Sequence, residues 1–376
     1  MKFIISSTDL LSHLQAISRV ISTKNSLPIL DNFLFQMTGN DLVVTASDLE
    51  TTMITSIKLE NADGDGSVAV PARILIDTLK EFPEQPLTFD INLDSLGIDI
   101  ISENGKFSIV GKPGIDFPVM PALKEDRITE VSFAAESLSK GISRTLFATA
   151  DDELRPVMNG ILVELRQDHA TFVSSDAHKL VKYTRKDIHS SQEASFILPK
   201  KPANLLKNIL PREENEVTLA FDEKNAVFTL SEYKLICRLV EGNYPAYESV
   251  IPKNNPNKMY IDRVEFMNTL RRVSVYSNQA SNLVKLQLRS NQLVISAQDI
   301  DYSISAVEKL NCQYGGDNME IGFKSVFLID ILNNIVSEEV IAELADPTRA
   351  GIILPKEEES EDESLLMLLM PMMINT

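Results

Sequence analysis

The sequence predicts an α+β fold in which one unit of two helices packed on antiparallel sheets occurs three times. Apolar alternating runs end at Asp48, Asp176 and Asp299, which are 128 and then 123 residues apart. Twenty-three residues after each aspartate, a pair of residues opens a helical pattern. These pairs are Val70-Pro71, Leu198-Pro199 and Ile321-Gly322. Two independent markers that agree on the same offsets indicate internal duplication.

The length of 376 residues fits three such units, since each would hold roughly 125 residues, a common domain size. At 44% hydrophobic residues, each unit can bury its own core. Polar, proline-bearing stretches near 118–127 and 251–258 are expected to be linkers. We therefore predict domains over residues 1–122, 128–252 and 257–376.

Each unit opens with a short apolar strand that leads into an amphipathic helix. The strands are expected at 2–5, 131–133 and 259–261, and the helices at 8–24, 134–150 and 262–276. In the first helix, Leu10, Leu14 and Ile17 recur at helical spacing. Asp9 and Asp262 are predicted to be N-cap residues, because a carboxylate there accepts from free backbone N–H groups.

Two strand-like runs with a turn between them follow each first helix, and a further strand leads to a second helix. The second helices are expected at 71–82, 199–210 and 322–336, with Pro71 and Pro199 in the first turn. More strands follow at 88–93, 217–221 and 340–344. Each unit is thus predicted to contain two helices and about eight antiparallel strands, in the order βαβββαβββ or similar.

The remaining features suggest a plain intracellular protein. Cys237 and Cys312 form no ligand pattern and are expected to be reduced thiols. The start of the chain lacks a signal-peptide core, and no apolar run approaches membrane-spanning length. The four histidines have no metal-ligand spacing. We expect a soluble, cytoplasmic protein without metal or cofactor, in which the acidic run at 356–364 is a solvated, mobile loop.

The charge of the chain is distributed unevenly. The net charge is −18, which by itself argues against a nucleic-acid partner. The six predicted helices, however, hold thirteen Lys or Arg against seven Asp or Glu, so they carry +6 and the rest carries −24. Helices that face one way would form a positive surface that attracts phosphates without reading sequence, since charges are screened beyond about 8 Å at physiological salt.

Short motifs in all three units resemble the bacterial DNA polymerase III beta-subunit family of replication sliding clamps. The resemblance covers the whole chain, and the order of the motifs makes it specific. The first unit carries Met1-Lys2-Phe3, Leu27-Pro28-Ile29-Leu30, Ser47-Asp48-Leu49-Glu50, Val70-Pro71-Ala72-Arg73 and Asp116-Phe117-Pro118. The other two carry Ser175-Asp176-Ala177-His178-Lys179-Leu180, Tyr244-Pro245-Ala246-Tyr247, Met319-Glu320-Ile321-Gly322-Phe323 and Met370-Pro371-Met372.

This resemblance implies three DNA-clamp domains that form half of a six-domain ring, closed by a head-to-tail homodimer around double-stranded DNA. The protein would be a non-catalytic processivity subunit that tethers the replicative polymerase. Cationic residues at matching positions would line the ring. They are Arg19, Lys24, Arg73, Lys80, Lys140, Arg144, Lys201 and Arg272.

The resemblance also implies an apolar cleft that binds short linear motifs of the polymerase alpha subunit, the clamp loader and repair proteins. Its residues would be Met158, Ser175, Ala177, His178, Lys179, Leu180, Pro245, Val250, Phe327, Leu368, Met370, Pro371 and Met372. Ala177, Lys179 and Phe327 depart from the glycine, arginine and tyrosine of the common family pattern. The dimer interface would use Phe107 and Ile109 on one side, and Val275 and Tyr276 on the other.

Two other classes of function remain open on the sequence. One is a protein–protein scaffold that uses only the cleft and never encloses DNA. The other is a hydrolase in which Asp176 and His178 form an acid–base pair. Asp48 and Asp299 have no histidine two residues later, which favours a structural turn for all three aspartates.

Overall fold

The computed structural model describes residues 1–118, 123 and 128–374, so most of the linker predicted at 118–127 lies outside the described residues. The chain divides into two compact units. The first consists of Met1–Ser139 and Lys201–Leu239, and the second of Lys140–Lys200 and Val240–Thr376. Each unit contains two antiparallel sheets. The α+β class predicted from the sequence is confirmed.

The first unit contains a five-stranded and a nine-stranded sheet. The five-stranded sheet runs in the order β5 (Asn61–Asp63), β1 (Lys2–Ser6), β7 (Pro86–Asn92), β8 (Gly97–Ile101) and β9 (Lys106–Val110). The nine-stranded sheet runs in the order β10 (Lys112–Pro113), β6 (Gly66–Pro71), β2 (Asn32–Thr38), β3 (Asp41–Ser47), β4 (Thr51–Lys58), β18 (Tyr233–Arg238), β17 (Asn225–Thr229), β16 (Glu216–Phe221) and β11 (Thr129–Ala134). Pairing of β4 with β18 joins strands that lie far apart in sequence.

The second unit contains a nine-stranded and a four-stranded sheet. The nine-stranded sheet runs in the order β15 (Ala194–Pro199), β12 (Gly160–Leu165), β13 (Ala170–Ser175), β14 (Lys179–Arg185), β27 (Glu363–Leu369), β26 (Gly351–Pro355), β25 (Glu339–Leu344), β19 (Asn257–Asp262) and β23 (Gln313–Tyr314). The four-stranded sheet runs in the order β22 (Ile304–Asn311), β21 (Gln292–Asp299), β20 (Leu283–Arg289) and β24 (Met319–Lys324). Here β14 pairs with β27, again across a long sequence separation.

Six α-helices occur in the described residues, two in each third of the chain. They are α1 (Ser7–Ser18), α2 (Ala72–Lys80), α3 (Ala135–Thr145), α4 (Lys200–Ile209), α5 (Arg263–Ser274) and α6 (Ser325–Asn333). At least four strands separate the two helices of each third, where the sequence suggested three. The strands that were missed are β4, β14 and β22, in which threonines or lysines interrupt the apolar alternation, and the two- and three-residue strands β23 and β5.

The first helix of each copy is shorter than predicted. Helix α1 ends at Ser18 and not at residue 24, since the Ser18 hydroxyl donates to the Gln15 carbonyl and β-branched residues follow. Its N-cap is Ser6, which accepts from the backbone N–H of Asp9, so the prediction that Asp9 is the cap is wrong. Asp262 is the cap of α5, as predicted, and accepts from the N–H of Glu265 at 2.7 Å.

The second helices begin later than predicted, because the preceding strands continue further. Pro71 and Pro199 are the last residues of β6 and β15, so neither lies in the first helical turn. Gly322 lies within β24, and α6 begins three residues later. At Gly322 a Cβ atom would lie 2.9 Å from the Met372 carbonyl, which explains a glycine in the middle of this strand.

The prediction for the acidic run is partly wrong. Glu363 begins β27, is buried, and accepts hydrogen bonds from the Tyr183 hydroxyl at 2.5 Å and the Arg185 guanidinium at 3.1 Å. A charge enters a protein interior only when it is paired in this way. The run is therefore attached to the protein at its C-terminal end and is not a freely solvated loop.

Candidate functional site

The three repeated aspartates each close a tight turn. The Oδ1 atom of Asp48 accepts from the N–H groups of Glu50 and Thr51, at 3.0 and 2.7 Å. Asp176 and Asp299 accept in the same way from residues two and three positions later. Short polar side chains stabilise turns by such bonds. The expectation of a structural role is confirmed.

This geometry leaves no acid–base pair at Asp176. The second carboxylate oxygen of Asp176 accepts from the Lys179 ammonium at 2.7 Å. The His178 ring stacks on Phe327 at 5.6 Å between centroids, and within the described residues no hydrogen bond joins it to Asp176. A general base needs hydrogen-bond contact with its partner. The hydrolase interpretation therefore has no structural basis.

The floor of the predicted cleft is a buried apolar cluster in the second unit. Leu180 of β14 pairs with Leu368 of β27, and both are almost completely buried. The cluster also contains Val173 and Ile197. The Tyr247 ring closes it, while its hydroxyl donates to Glu164 at 2.5 Å. Burial of this kind makes Leu180 and Leu368 core residues that shape the floor.

Two of the residues predicted for the cleft are apolar and exposed, as expected for its rim. Val250 is 54% exposed and Met370 is 41% exposed, although ordinary core packing would bury both. The Met370 N–H donates to the His178 carbonyl at 2.8 Å, which holds the C-terminal segment beside the Asp176 turn. The Met372 N–H donates to Gly322 at the same distance. Of the two prolines predicted for the cleft, Pro245 stands at the entrance of a tight turn and Pro371 lies between Met370 and Met372.

Lys179 and Phe327, which depart from the family pattern, meet at one corner of the predicted cleft, and Ala177, the third departure, lies in the turn that leads to Lys179. Ala177 has φ +73°, a left-handed conformation in which glycine is unstrained. Lys179 is buried, and its ammonium lies 4.3 Å from the centre of the Phe327 ring. Ser175 supports the turn, because its hydroxyl donates to the Lys179 carbonyl at 2.9 Å. Met158 is buried and is the last residue of a short helical turn, Pro156–Met158.

Sequence reasoning missed one cation of this corner. Lys324 was counted among the helical cations, but it ends β24 and its ammonium lies 4.9 Å from the centre of the Phe327 ring. An ammonium over an aromatic face is attracted by the negative face of the ring. Only the three-residue spacing of Lys324 and Phe327 at the start of a helix could have suggested this contact.

The cations predicted to face DNA differ in whether a carboxylate of the chain pairs with them. In the first unit, Arg19 and Lys24 lie beyond the end of α1 and have no ion-pair partner within the described residues. Arg73 is 97% exposed at its side chain, with Asp77 at 3.9 Å. Lys80 contacts the same Asp77 at 3.3 Å. Lys201 is held by Asp48 and donates to the Val20 carbonyl at 2.6 Å.

The three cations of the second unit are all paired. Arg272 donates to both carboxylate oxygens of Glu308, at 2.7 and 2.9 Å, and this lowers the pKa of Glu308. Lys140 and Arg144 share Glu359, with the Lys140 contact at 3.1 Å. A paired cation attracts phosphate less than a free one, because its charge is already compensated.

Two sheets end in strands with exposed apolar side chains. The strand β9 is the last of the five-stranded sheet and carries Phe107, which is 43% exposed, beside the half-buried Ile109. The strand β22 ends the four-stranded sheet and carries Val307, which is 64% exposed. Val275 and Tyr276, also exposed, directly follow α5. Within the described residues no strand pairs with the outer side of β9 or β22.

These surfaces define a binding protein made of repeated α+β units. Family models for the N-terminal, central and C-terminal domains of the DNA polymerase III beta subunit match residues 1–121, 132–246 and 248–373. The chain belongs to this family. It is a DNA sliding clamp, the processivity factor of polymerase III, and its domain architecture is that of three clamp domains.

Similar proteins cover the chain from end to end. The beta sliding clamp of Pseudomonas aeruginosa is 29% identical over 373 residues, which are 99% of this chain and 100% of that protein. The one from Proteus mirabilis is 31% identical over 350 residues, 92% of this chain and 94% of its own. A crystal structure of the Pseudomonas aeruginosa clamp has a TM-score of 0.93 and 28% identity over 100% of both chains.

Three further observations concern the predicted absences. Within the described residues no group of His, Cys, Asp or Glu could hold a metal ion. Both cysteines are free thiols, and burial raises the pKa of Cys237 to about 12. In the part of the chain that the structure describes, no helix is both long and apolar enough to cross a bilayer.

Proposed function

We propose that two copies of this chain pair head to tail into a closed ring of six domains around duplex DNA. The observation that carries this proposal is the pair of unpartnered apolar sheet edges, β9 and β22. Such edges pair readily with another chain, and a head-to-tail contact forms a ring if its rotation closes. The domains of each copy would be residues 1–122, 128–252 and 257–376.

In this ring the eight candidate cations would attract the DNA backbone without reading its sequence. The attraction would be weak at each residue, since several of the cations have carboxylate partners in their own chain. Weak phosphate contacts permit sliding, and a closed ring cannot leave the duplex sideways. The −18 net charge, concentrated outside the helices, would keep the exterior of the ring off DNA.

The cleft would bind short linear motifs of the replicative polymerase alpha subunit, the clamp loader and repair proteins in the cytoplasm. Its buried floor at Leu180 and Leu368 and its exposed rim at Val250 and Met370 suit apolar anchors of a peptide. Methionine-lined surfaces adapt to several ligands. A tethered polymerase has a high effective concentration at the primer end, which increases processivity without new chemistry.

Ring closure can be tested by comparing how long the protein is retained on circular and on linear DNA. The loaded protein should stay on a nicked circular duplex and should run off once the circle is linearised. A protein that held DNA only by surface charge would behave alike on both forms, and that result would contradict the ring.

Charge reversal separates the clamp from a scaffold that never encloses DNA. Arg73→Glu should shorten the lifetime on circular DNA, because this side chain is exposed on a predicted DNA-facing helix. Lys58→Glu is the matched control, since it makes the same charge change at an exposed position on β4. A scaffold would respond to neither change, whereas equal losses in both variants would indicate a general effect of net charge.

A further inference from the structure

The acidic segment, residues 356–364, connects β26 to β27 and is the most negative stretch of the chain. It contains six carboxylates and a single lysine. A run of this composition is ordinarily extended and solvated, because like charges repel one another. In this protein its backbone and three of its carboxylates have specific contacts, which lie within the second unit.

Several contacts hold the acidic segment against neighbouring strands. Glu363 is buried with Tyr183 and Arg185, and its other carboxylate oxygen accepts from the Glu359 N–H at 2.9 Å. The Lys186 N–H donates to the Asp362 carbonyl at 2.7 Å. The Glu358 side chain accepts from the N–H of Leu365 at 2.9 Å, and burial raises the pKa of Glu358. These bonds fix the backbone that carries Glu359.

Glu359 contacts two of the candidate DNA-binding cations. Its Oε2 atom lies 3.1 Å from the Lys140 ammonium, and its Oε1 atom accepts from the Arg144 guanidinium. Arg144 also donates to the Asn334 carbonyl at 2.8 Å, which orients it. Only 16% of the Arg144 side chain and 28% of the Lys140 side chain remain exposed. Burial raises the pKa of Glu359, but these two cations outweigh it and lower the pKa below its usual value.

We propose that the acidic segment is an intramolecular competitor of DNA, in which Glu359 occupies the place of a backbone phosphate on Lys140 and Arg144. The proposal rests on the function proposed above, since it assumes that α3 faces the duplex. A competitor on the same chain has a high effective concentration, so DNA must displace it before these cations contribute. The segment would thus weaken the contacts of these cations with phosphates and help the ring to slide along DNA.

The contacts of Glu359 with Lys140 and Arg144 contribute little to the stability of the fold. Partly exposed ion pairs stabilise a fold by only about 0–1 kcal/mol, whereas Glu363 already anchors the segment from within. Glu357, Glu361 and Asp362 remain exposed beside Glu359, and they would repel an approaching duplex until the segment moves. A segment whose only role is structural would need neither this charge density nor contacts with two cations of one helix.

The test compares Glu359→Gln with Glu361→Gln in the full-length protein. Both variants remove one negative charge from the same segment, but the Glu361 side chain has no cation partner within the described residues. The probe is a short fluorescent duplex with open ends, titrated at salt concentrations from about 50 to 200 mM. Thermal unfolding verifies that both variants are folded.

We expect Glu359→Gln to bind the duplex several-fold more tightly than Glu361→Gln. We also expect its plot of log affinity against log salt to be steeper by about one to two, because two cations become available to phosphates. In a Lys140→Gln, Arg144→Gln background, Glu359→Gln should have no further effect. Equal affinities and slopes for the two variants, or an undiminished effect in that background, would overturn the proposal.

The outcomes are distinguishable from failure of the ring itself. Release of the wild-type protein from linearised but not circular DNA depends on closure, not on Glu359. If retention on circles holds while the two variants coincide, only the competitor is lost. If the variants differ as expected while retention on circles fails, the competition is real and the ring is wrong.

Discussion

Phe327 is the side chain around which one corner of the predicted cleft is built. His178 stacks on its ring, and the ammonium groups of Lys179 and Lys324 lie 4.3 and 4.9 Å from its centre. The Lys179 charge is compensated by Asp176, whereas Lys324 has no ion-pair partner within the described residues. The ring therefore positions three polar side chains at the edge of an apolar surface.

Replacing Phe327 by alanine should weaken binding of a motif peptide from the replicative polymerase. Loss of one large apolar contact corresponds to about 1.5–3 kcal/mol, or roughly ten- to 150-fold in Kd. Fluorescence anisotropy of a labelled peptide measures the change. Phe327→Tyr, which keeps the ring, and Ile115→Ala, at a site 90% exposed on the first unit, should bind as the wild type does. An unchanged Kd for Phe327→Ala would place the binding site elsewhere.

Some residue roles could be predicted from the sequence, and others depend on contacts that no local pattern encodes. The cap at Asp262 and the turns at Asp48 and Asp176 follow from short-range chemistry, and they are confirmed. The cap at Asp9 failed because Ser6, one turn earlier, competes for the same role. The pairing of Lys140 with Glu359 joins residues more than two hundred positions apart, so only the fold reveals it.

At the scale of single elements, α3 illustrates how packing overrides propensity. Gly141 lies within this helix, where glycine is disfavoured by about 1 kcal/mol relative to alanine. A Cβ atom at this position would lie 2.5–2.7 Å from three atoms of the Phe172 ring. Phe172 is completely buried in β13. The glycine is therefore required by the close approach of helix and strand.

Gly141→Ala should destabilise the protein although alanine is the better helix former. Overpacking against a fixed aromatic ring costs about 1–3 kcal/mol, which exceeds the gain of about 1 kcal/mol in propensity. Urea unfolding measures the change in the free energy of unfolding. Gly315→Ala, where a Cβ atom would have nothing within 4 Å, should stay within about 0.5 kcal/mol of the wild type. A more stable Gly141→Ala variant would contradict this account.

The bounds of the strands and helices show which elements the periodicity of apolar residues can predict. The strongly alternating runs at 33–37 and 284–288 predict β2 and β20 to within one residue at each end. Strand β4 was missed because Thr51, Thr52 and Thr55 are polar residues that this strand buries. In a sequence pattern, hydroxyl side chains are more typical of turns and loops than of a buried strand. Helix α6 was extended into β24 because its apolar residues continue into a strand that is itself buried.

At the scale of the whole molecule, the apolar sheet edges at β9 and β22 are the surfaces best suited to pair with a partner. Ile304 and Val307 of β22, and Phe107 and Val110 of β9, expose apolar surface next to unpaired backbone groups. Proteins usually protect such edges with charges, bulges or prolines. The sequence located Phe107 and Ile109 only through the family resemblance, because edge position is a property of the sheet and not of the strand.

Val307→Lys should prevent formation of the proposed dimer and leave a monomer, since it places a charge in the middle of an edge that would be buried. Sedimentation velocity or light scattering gives the mass in solution. Leu154→Lys, at a side chain that is 92% exposed and far from either edge in sequence, should leave the mass unchanged. A monomeric wild-type protein would rule out closure through these edges, as would a Val307→Lys variant that remains a dimer.

The pairings of β4 with β18 and of β14 with β27 also bear on how this triplicated chain can be cut. Each seam carries backbone hydrogen bonds from one repeat to the next, so the borders of the duplicated segments are not the borders of cooperative folding. A fragment that ended after the first repeat would lack β18. Strand β4 would then be an unpaired sheet edge that is prone to aggregation. Cuts at the repeat borders should therefore yield fragments less stable than the same segments within the full chain.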